Sequence, residues 1–222
     1  MADEKRIQIT SDYIILCEGK DVTNFLYYYL RSDALKEDGR FHSIEALNFG
    51  GINELSVFLR NLKNMEHFDT VKRIMILRDA ETNVQQAIDM VRGALRRADL
   101  PVPRTCNQWS EERQGLRSSF TLLPTCSDHP TTGTLEDLCW EILKEQENNG
   151  LRGEVQQFVG HVKNVYQTIV AHEHKSKLHT FFSVNEDFIS LKIGEAARVG
   201  AFDWNHEKLK SLRELIAGGF SM

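Results

Sequence analysis

"YIILCEGKDVTNFL", residues 13–26, decides how this chain folds. Its first five residues form a compact, β-branched-rich apolar run, the pattern of a buried strand. Apolar residues then recur at helical spacing through "VTNFLYYYLRSDAL" (22–35). Between the two stand Glu18, Gly19, Lys20 and Asp21. A strand turns into a helix across an acid, a glycine, a base and a second acid, and that corner needs a reason.

The alternation continues. "SIEALNF" (43–49) reads as a second strand closed by Gly50-Gly51, and "INELSVFLRNLKNM" (52–65) as a helix with Ile52, Leu55, Phe58, Leu59 and Leu62 on one face. "KRIMILRDA" (72–80) is the third strand and "NVQQAIDMVRGALRRA" (83–98) the third helix. The polar stretch 99–118 has neither pattern. "SSFTLLP" (118–124) is a fourth strand, followed by a loop and the helix "TLEDLCWEILKE" (134–145). Repeated strand–helix units with apolar strands predict an α/β, Rossmann-like fold: a mostly parallel sheet flanked by helices on both faces. Residues 1–150 form its core, and 151–222 a helical C-terminal extension packed on that core, one domain in all.

Composition sets the bounds. A chain of 222 residues, 41% hydrophobic and 27% charged, has material for one substantial core. No apolar run reaches the ~20 residues of a membrane span. "MADEKRIQIT" lacks the apolar region of a signal peptide, so a cytoplasmic protein is expected. With a net charge of −5, nucleic acid can be held only by local basic patches. Cys17, Cys106, Cys126 and Cys139 form no C-x-x-C pair, which points to reduced structural thiols.

In a parallel sheet, ligands bind outside the carboxyl ends of the strands. Glu18 follows the first strand there, Gly50-Gly51 the second, and Asp79 with Glu81 the third. Two residues apart on extended backbone, Asp79 and Glu81 face the same way. Three carboxylates around one point suit Mg²⁺ or Mn²⁺. The bland alternative is helix capping or solvation at a positive helix end.

Glu136 has two readings, ligand or first-turn acid, whereas Asp137 reads as the partner of Thr134 in a capping arrangement. Lys20 either neutralises phosphate or pairs with a neighbouring acid. Gly50-Gly51 suits a tight turn or a close approach of backbone to phosphate. Lys175 and Lys177, in the His172–His179 stretch, are candidate cations for the acidic rim. Arg92, Arg96 and Arg97, with Lys72 and Arg73 nearby, make a basic run that is either a solvated face or a nucleic-acid contact. Arg78 points away from Asp79, to a carboxylate in the packing layer. Trp109 either stacks on a base or anchors its loop.

"ILCEGKD", followed two strands later by "IMILRDAE", resembles the Toprim domain, which places a Glu after one strand and D-x-D after another. "FGGINEL", "GTLEDL" and "KLHTFF…IGEAARVGAFDWNHEKLKSLREL" make the chain similar to the Toprim-like family catalogued as DUF3226, near the OLD nucleases, over about residues 10–216. The resemblance implies a Mg²⁺- or Mn²⁺-dependent nuclease cutting DNA or RNA, in a bacterial defence or repair setting, with a separate ATPase or defence-system subunit as partner. It makes Glu18, Lys20 and Asp79 the catalytic residues and Glu18, Asp21, Asp79, Glu81 and Glu136 the metal ligands. Glu81 departs from the pattern's Asp, its extra methylene carrying the carboxylate outward. A non-catalytic module binding nucleotide, nucleic acid or a partner is the alternative, and a small-molecule phosphohydrolase is the third reading.

Overall fold

The computed structural model describes residues 8–144, 150–166 and 173–220. Its four strands, β1 (Tyr13–Cys17), β2 (Glu45–Asn48), β3 (Arg73–Asp79) and β4 (Arg117–Leu123), form an all-parallel sheet in the order β2-β1-β3-β4. β1 lies inside the sheet and is buried at all five positions, hence its unbroken apolar run; β2, at an edge, is half-buried.

Helices α1 (Gly19–Leu30), α2 (Leu55–Lys63), α3 (Val84–Arg97), α4 (Leu135–Glu141), α5 (Gly150–Val165), α6 (Glu173–Val184), α7 (Ile193–Arg198) and α8 (Lys210–Gly218) flank it. Alternation along the strands divides the core. Ile14, Leu16, Ile74 and Ile76 pack with Leu55, Leu59 and Leu62 of α2 and Val91 and Leu95 of α3. Tyr13, Ile15, Cys17, Met75 and Leu77 pack on the opposite face with Phe25, Leu26 and Tyr29 of α1. Phe182, Phe202, Leu212 and Ile216 of the C-terminal segment join that same cluster. The α/β, Rossmann-like architecture with helices on both faces is therefore present. All four cysteines are buried and free. Among the described residues, no helix is long and apolar enough to cross a membrane.

Some boundaries move. α1 starts at Gly19, three residues before the apolar periodicity, because Gly19 adopts φ +80° and turns the chain straight out of β1. α4 stops at Glu141: Leu143 leaves the helix to pair with Phe202. The expected last residue of that helix, Glu145, lies outside the described residues.

The C-terminal helix is fastened by polar groups. The Tyr13 hydroxyl donates to the Ile216 carbonyl (3.2 Å), Arg73 Nε to Gly219 (2.9 Å) and the Trp109 indole to Leu215 (2.9 Å). Trp109 thus anchors its loop to the body, its ring edge-on to Tyr13. The basic run does not form one patch: Arg73 is buried at this latch, Arg97 donates to Ser56, and Lys72 lies 3.6 Å from Asp12.

The strand order places β2 on one side of β1 and β3 on the other. Chain direction across the sheet reverses between β1 and β3, and a crevice opens at their carboxyl ends. Glu18 and Asp79 stand there.

Candidate active site at the carboxyl ends of β1 and β3

Two glycines shape the corner after β1. Gly19 N–H donates to the Gly50 carbonyl (3.1 Å), and Gly50, at φ +83°, receives the Asn48 side-chain oxygen on its own N–H (2.8 Å). A Cβ on Gly50 would overlap the Glu54 carboxylate. Gly50-Gly51 is thus a tight turn that ties the β2 end to the β1 end. The Glu18 N–H donates to the Leu77 carbonyl (3.0 Å), carrying the β1–β3 ladder one residue past the strand.

That register sets Glu18 beside Arg78. Arg78 is only 3% exposed, and its Nε lies 3.2 Å from Glu18 Oε2. The Nε hydrogen, however, is directed to the Asp79 carbonyl (3.0 Å). Glu18 Oε2 and Arg78 Nη1 are both buried without a hydrogen-bond partner. Burial raises the Glu18 carboxyl, the Arg78 charge pulls it back and the Glu81 charge raises it further; the net shift is upward. The expectation that Arg78 faces away from Asp79 and meets a carboxylate holds, but that carboxylate is Glu18 itself. Strand register, which the sequence does not state, is what hid this.

On the other side of β3, Asp79 Oδ1 accepts the Leu135 N–H at the start of α4 (2.8 Å). Burial, then the charges of Glu136 and Glu18, push the Asp79 carboxyl up to about 8, against the pull of the Leu135 amide. Glu136 is buried; its Oε2 accepts from the Thr134 hydroxyl (2.7 Å), and its Oε1 lies 3.2 Å from Lys175 Nζ. Burial opposes its charge, but the Thr134 hydroxyl, its own amide and Lys175 outweigh it and hold the carboxyl low. Lys175 is raised: Glu136 outweighs the loss of water around the ammonium. Asp137 caps as expected, accepting the Thr134 N–H (2.8 Å). Lys177 pairs with Glu173 instead (2.7 Å). A cleft of about 630 Å³ opens along α4, α5 and α6 next to this pair, lined by Asp137, Trp140, Arg152, His174 and Lys177 among others.

Three expected members stand apart. Glu81 does not share a face with Asp79 on extended backbone: it is exposed at φ +56°, because the chain leaves the sheet after Asp79 to bridge Gly133 (N–H to carbonyl 2.9 and 2.8 Å). Its charge still reaches Glu18 and Asp79. Lys20 is exposed on the first turn of α1. Asp21, also exposed, lines a separate cavity of about 230 Å³ against α7. His172 lies outside the described residues. Among the described residues, no three His, Cys, Asp or Glu side chains converge closely enough to hold a metal ion as they stand. The contacts give the reason: Glu18 is turned to Arg78, Asp79 to the α4 amide and Glu136 to Lys175.

Residues 12–218 match the family described as "Protein of unknown function (DUF3226)". The chain belongs to the DUF3226 family. The match begins one residue before β1 and ends with α8, so the rim of this DUF3226 fold lies within it, as does the latch up to Gly218. No curated protein and no solved structure matches the chain.

Proposed function

We propose that the chain is a Mg²⁺- or Mn²⁺-dependent phosphodiesterase acting on nucleic acid, a Toprim- and OLD-like nuclease. The observation that carries this reading is the crowding of carboxyl groups at the switch point, where the charges of Glu136 and Glu18 both act on Asp79. Glu18 Oε2 is a buried carboxylate oxygen with no hydrogen bond, and Asp79 is pushed up to about 8 beside Glu136 and Glu18. Hard oxygen donors that repel one another fit a small divalent cation in chemistry and charge. Glu18, Asp79 and Glu136 would hold it, after rotating away from their present partners. When bound, the ion activates water and offsets charge on the phosphoryl group.

The chain's own residues supply the rest. Lys175 brings a cation to the Glu136 side of the rim, where it balances phosphate charge. Asp79 near 8 exchanges a proton for a cation around neutral pH. The cleft along α4 to α6, with Arg152 over the face of Trp140 (5.1 Å) in its wall, is a surface on which a strand of nucleic acid would lie. The Toprim and OLD likeness adds a defence or repair setting and a separate ATPase subunit as partner.

Calorimetric titration of Mn²⁺, with Asp79→Ala alongside, tests the reading, followed by cleavage assays on labelled single- and double-stranded DNA and RNA. Saturable binding and cleavage are expected, both abolished by Asp79→Ala in a folded protein; cleavage retained by Asp79→Ala would sink this mechanism. A second reading, a non-catalytic binding module, is favoured by one observation: all three carboxylates already have a protein partner. It predicts nucleic-acid or nucleotide binding that survives EDTA. Hydrolysis of a nucleotide panel, with oligonucleotides left intact, would instead mark a small-molecule phosphohydrolase.

A further inference from the structure

On the α2–α3 side of the rim, Arg78 lines a cavity of about 290 Å³ with Asn53, Glu81, Thr82, Asn83 and Gln86. The N-terminus of α3, a helix of 14 residues, opens into the same space. Asn83 Oδ1 accepts the Gln86 N–H there (3.0 Å). The first turn of α3, with Asn83, Gln86 and Ala87 in the cavity wall, stands at the positive end of the helix dipole. A buried guanidinium N–H without an acceptor has lost its water and gained nothing in return. The Arg78 side chain, in the wall of this cavity with Nη1 unpartnered, carries that cost.

The geometry points to a phosphate subsite in this cavity, formed by Arg78 and the first turn of α3, which holds a phosphate of the substrate. A helix N-terminus supplies N–H donors and a positive partial charge, and the guanidinium fork matches phosphate oxygens. The volume lies at the small end of ligand pockets (~300–1,000 Å³) and suits a phosphate group with part of its ester, not a whole nucleotide. Glu81 in the wall and Glu18 beside Arg78 set negative charge against the anion. Those acids keep the site from collecting anions at large, and favour one that arrives with a cation at the rim. Placing the phosphate next to Glu18 rests on the hydrolase reading above; the anion site itself does not.

The test follows the amides of Thr82 to Gln86 and the Arg78 Nε–H by nuclear magnetic resonance in the full chain. Inorganic phosphate and a dinucleotide phosphodiester are titrated separately, each with and without Mg²⁺. Saturable shifts of these signals are expected with at least one probe, and the tighter probe tells a terminal from an internal phosphate. Affinity should weaken by about tenfold or more in Arg78→Met, which removes the charged donor. Arg78→Met also exposes Glu18 to loss of its partner, so Gln86→Glu is the second variant. It puts a carboxylate into the cavity at the third helical position, where a glutamate suits the first turn, and it leaves the Glu18 pair intact. The same weakening is expected. No saturable shift with either probe, or an undiminished affinity in folded Gln86→Glu, overturns the subsite. Phosphate shifts in a protein that binds no Mn²⁺ would retain the subsite and remove the hydrolase reading.

Discussion

Arg73 opens β3 and Arg78 stands one residue from its end, the first 7% exposed and the second 3%. Arg73 has its Nε on the Gly219 carbonyl and its Nη1 on that of Lys72 (2.9 Å each), next to Tyr13 and Trp109, which hold α8 in the same manner. Arg78 has one carbonyl, one carboxylate without hydrogen-bond geometry, and an Nη1 with no acceptor. Burial is the same; satisfaction is not. One end of the strand is closed by carbonyls of its own chain, and the other keeps a donor without an acceptor.

The largest effect separating the two ends is expected at the closed one. Arg73→Met strips the Gly219 carbonyl of its charged donor and should destabilise by about 3 kcal/mol, a fall in Tm of roughly 6–12 °C. Denaturant and thermal unfolding measure it, and a change under about 1 kcal/mol would erase the contrast.

Next comes the acid at the open end. Asp79 stands near 8 in the folded chain against ~3.9 when unfolded, so folding takes up a proton between these values. The stability this gives is complete below pH ~4 and is lost as pH rises through about 8. Asp79→Asn keeps an oxygen for the Leu135 amide and removes the charge. At pH 8 it should exceed wild type, with the gap closing toward pH 4 in thermal scans. A pH-independent gap would mean that Asp79 is not the group that titrates.

The double variant Arg78→Met/Glu18→Gln removes both members of the unsatisfied pair. Replacing a buried ion pair by neutral groups is often neutral or stabilising, so a change within ~1 kcal/mol is expected. A loss matching that of Arg73→Met would show that the two arginines are equivalent after all. Smallest is Glu81→Gly. Glutamate at φ +56° is strained where glycine is not, so unfolding should show a gain of about 0.5–1 kcal/mol.

Sheet and core were legible because β1 and β3 are buried end to end and declare themselves as apolar runs, with α2 and α3 periodic beside them. The positions of Glu18 and Asp79 followed from the rule for parallel sheets. What could not be read were contacts that depend on register or on a single dihedral. Arg78 meets Glu18 because Cys17 pairs with Leu77, one residue earlier. Glu81 leaves the rim because its backbone turns left-handed to reach Gly133, across more than fifty residues of sequence. Lys175 comes to Glu136 from a helix nearly forty residues on, and only the packing of α6 against α4 brings it there.

Asp79 also joins two scales of the molecule. The oxygen that accepts the Leu135 N–H pins the first turn of α4, and Trp140 near the far end of that helix meets Phe181 of α6 edge-on. A ligand drawing the carboxylate to itself would unseat this pin, and the helix would have to find another donor-acceptor pairing or shift. Occupancy at a strand end would thereby be felt along α4 as far as the buried Trp140–Phe181 contact, and hydrogen exchange at the Leu135 amide would be its gauge.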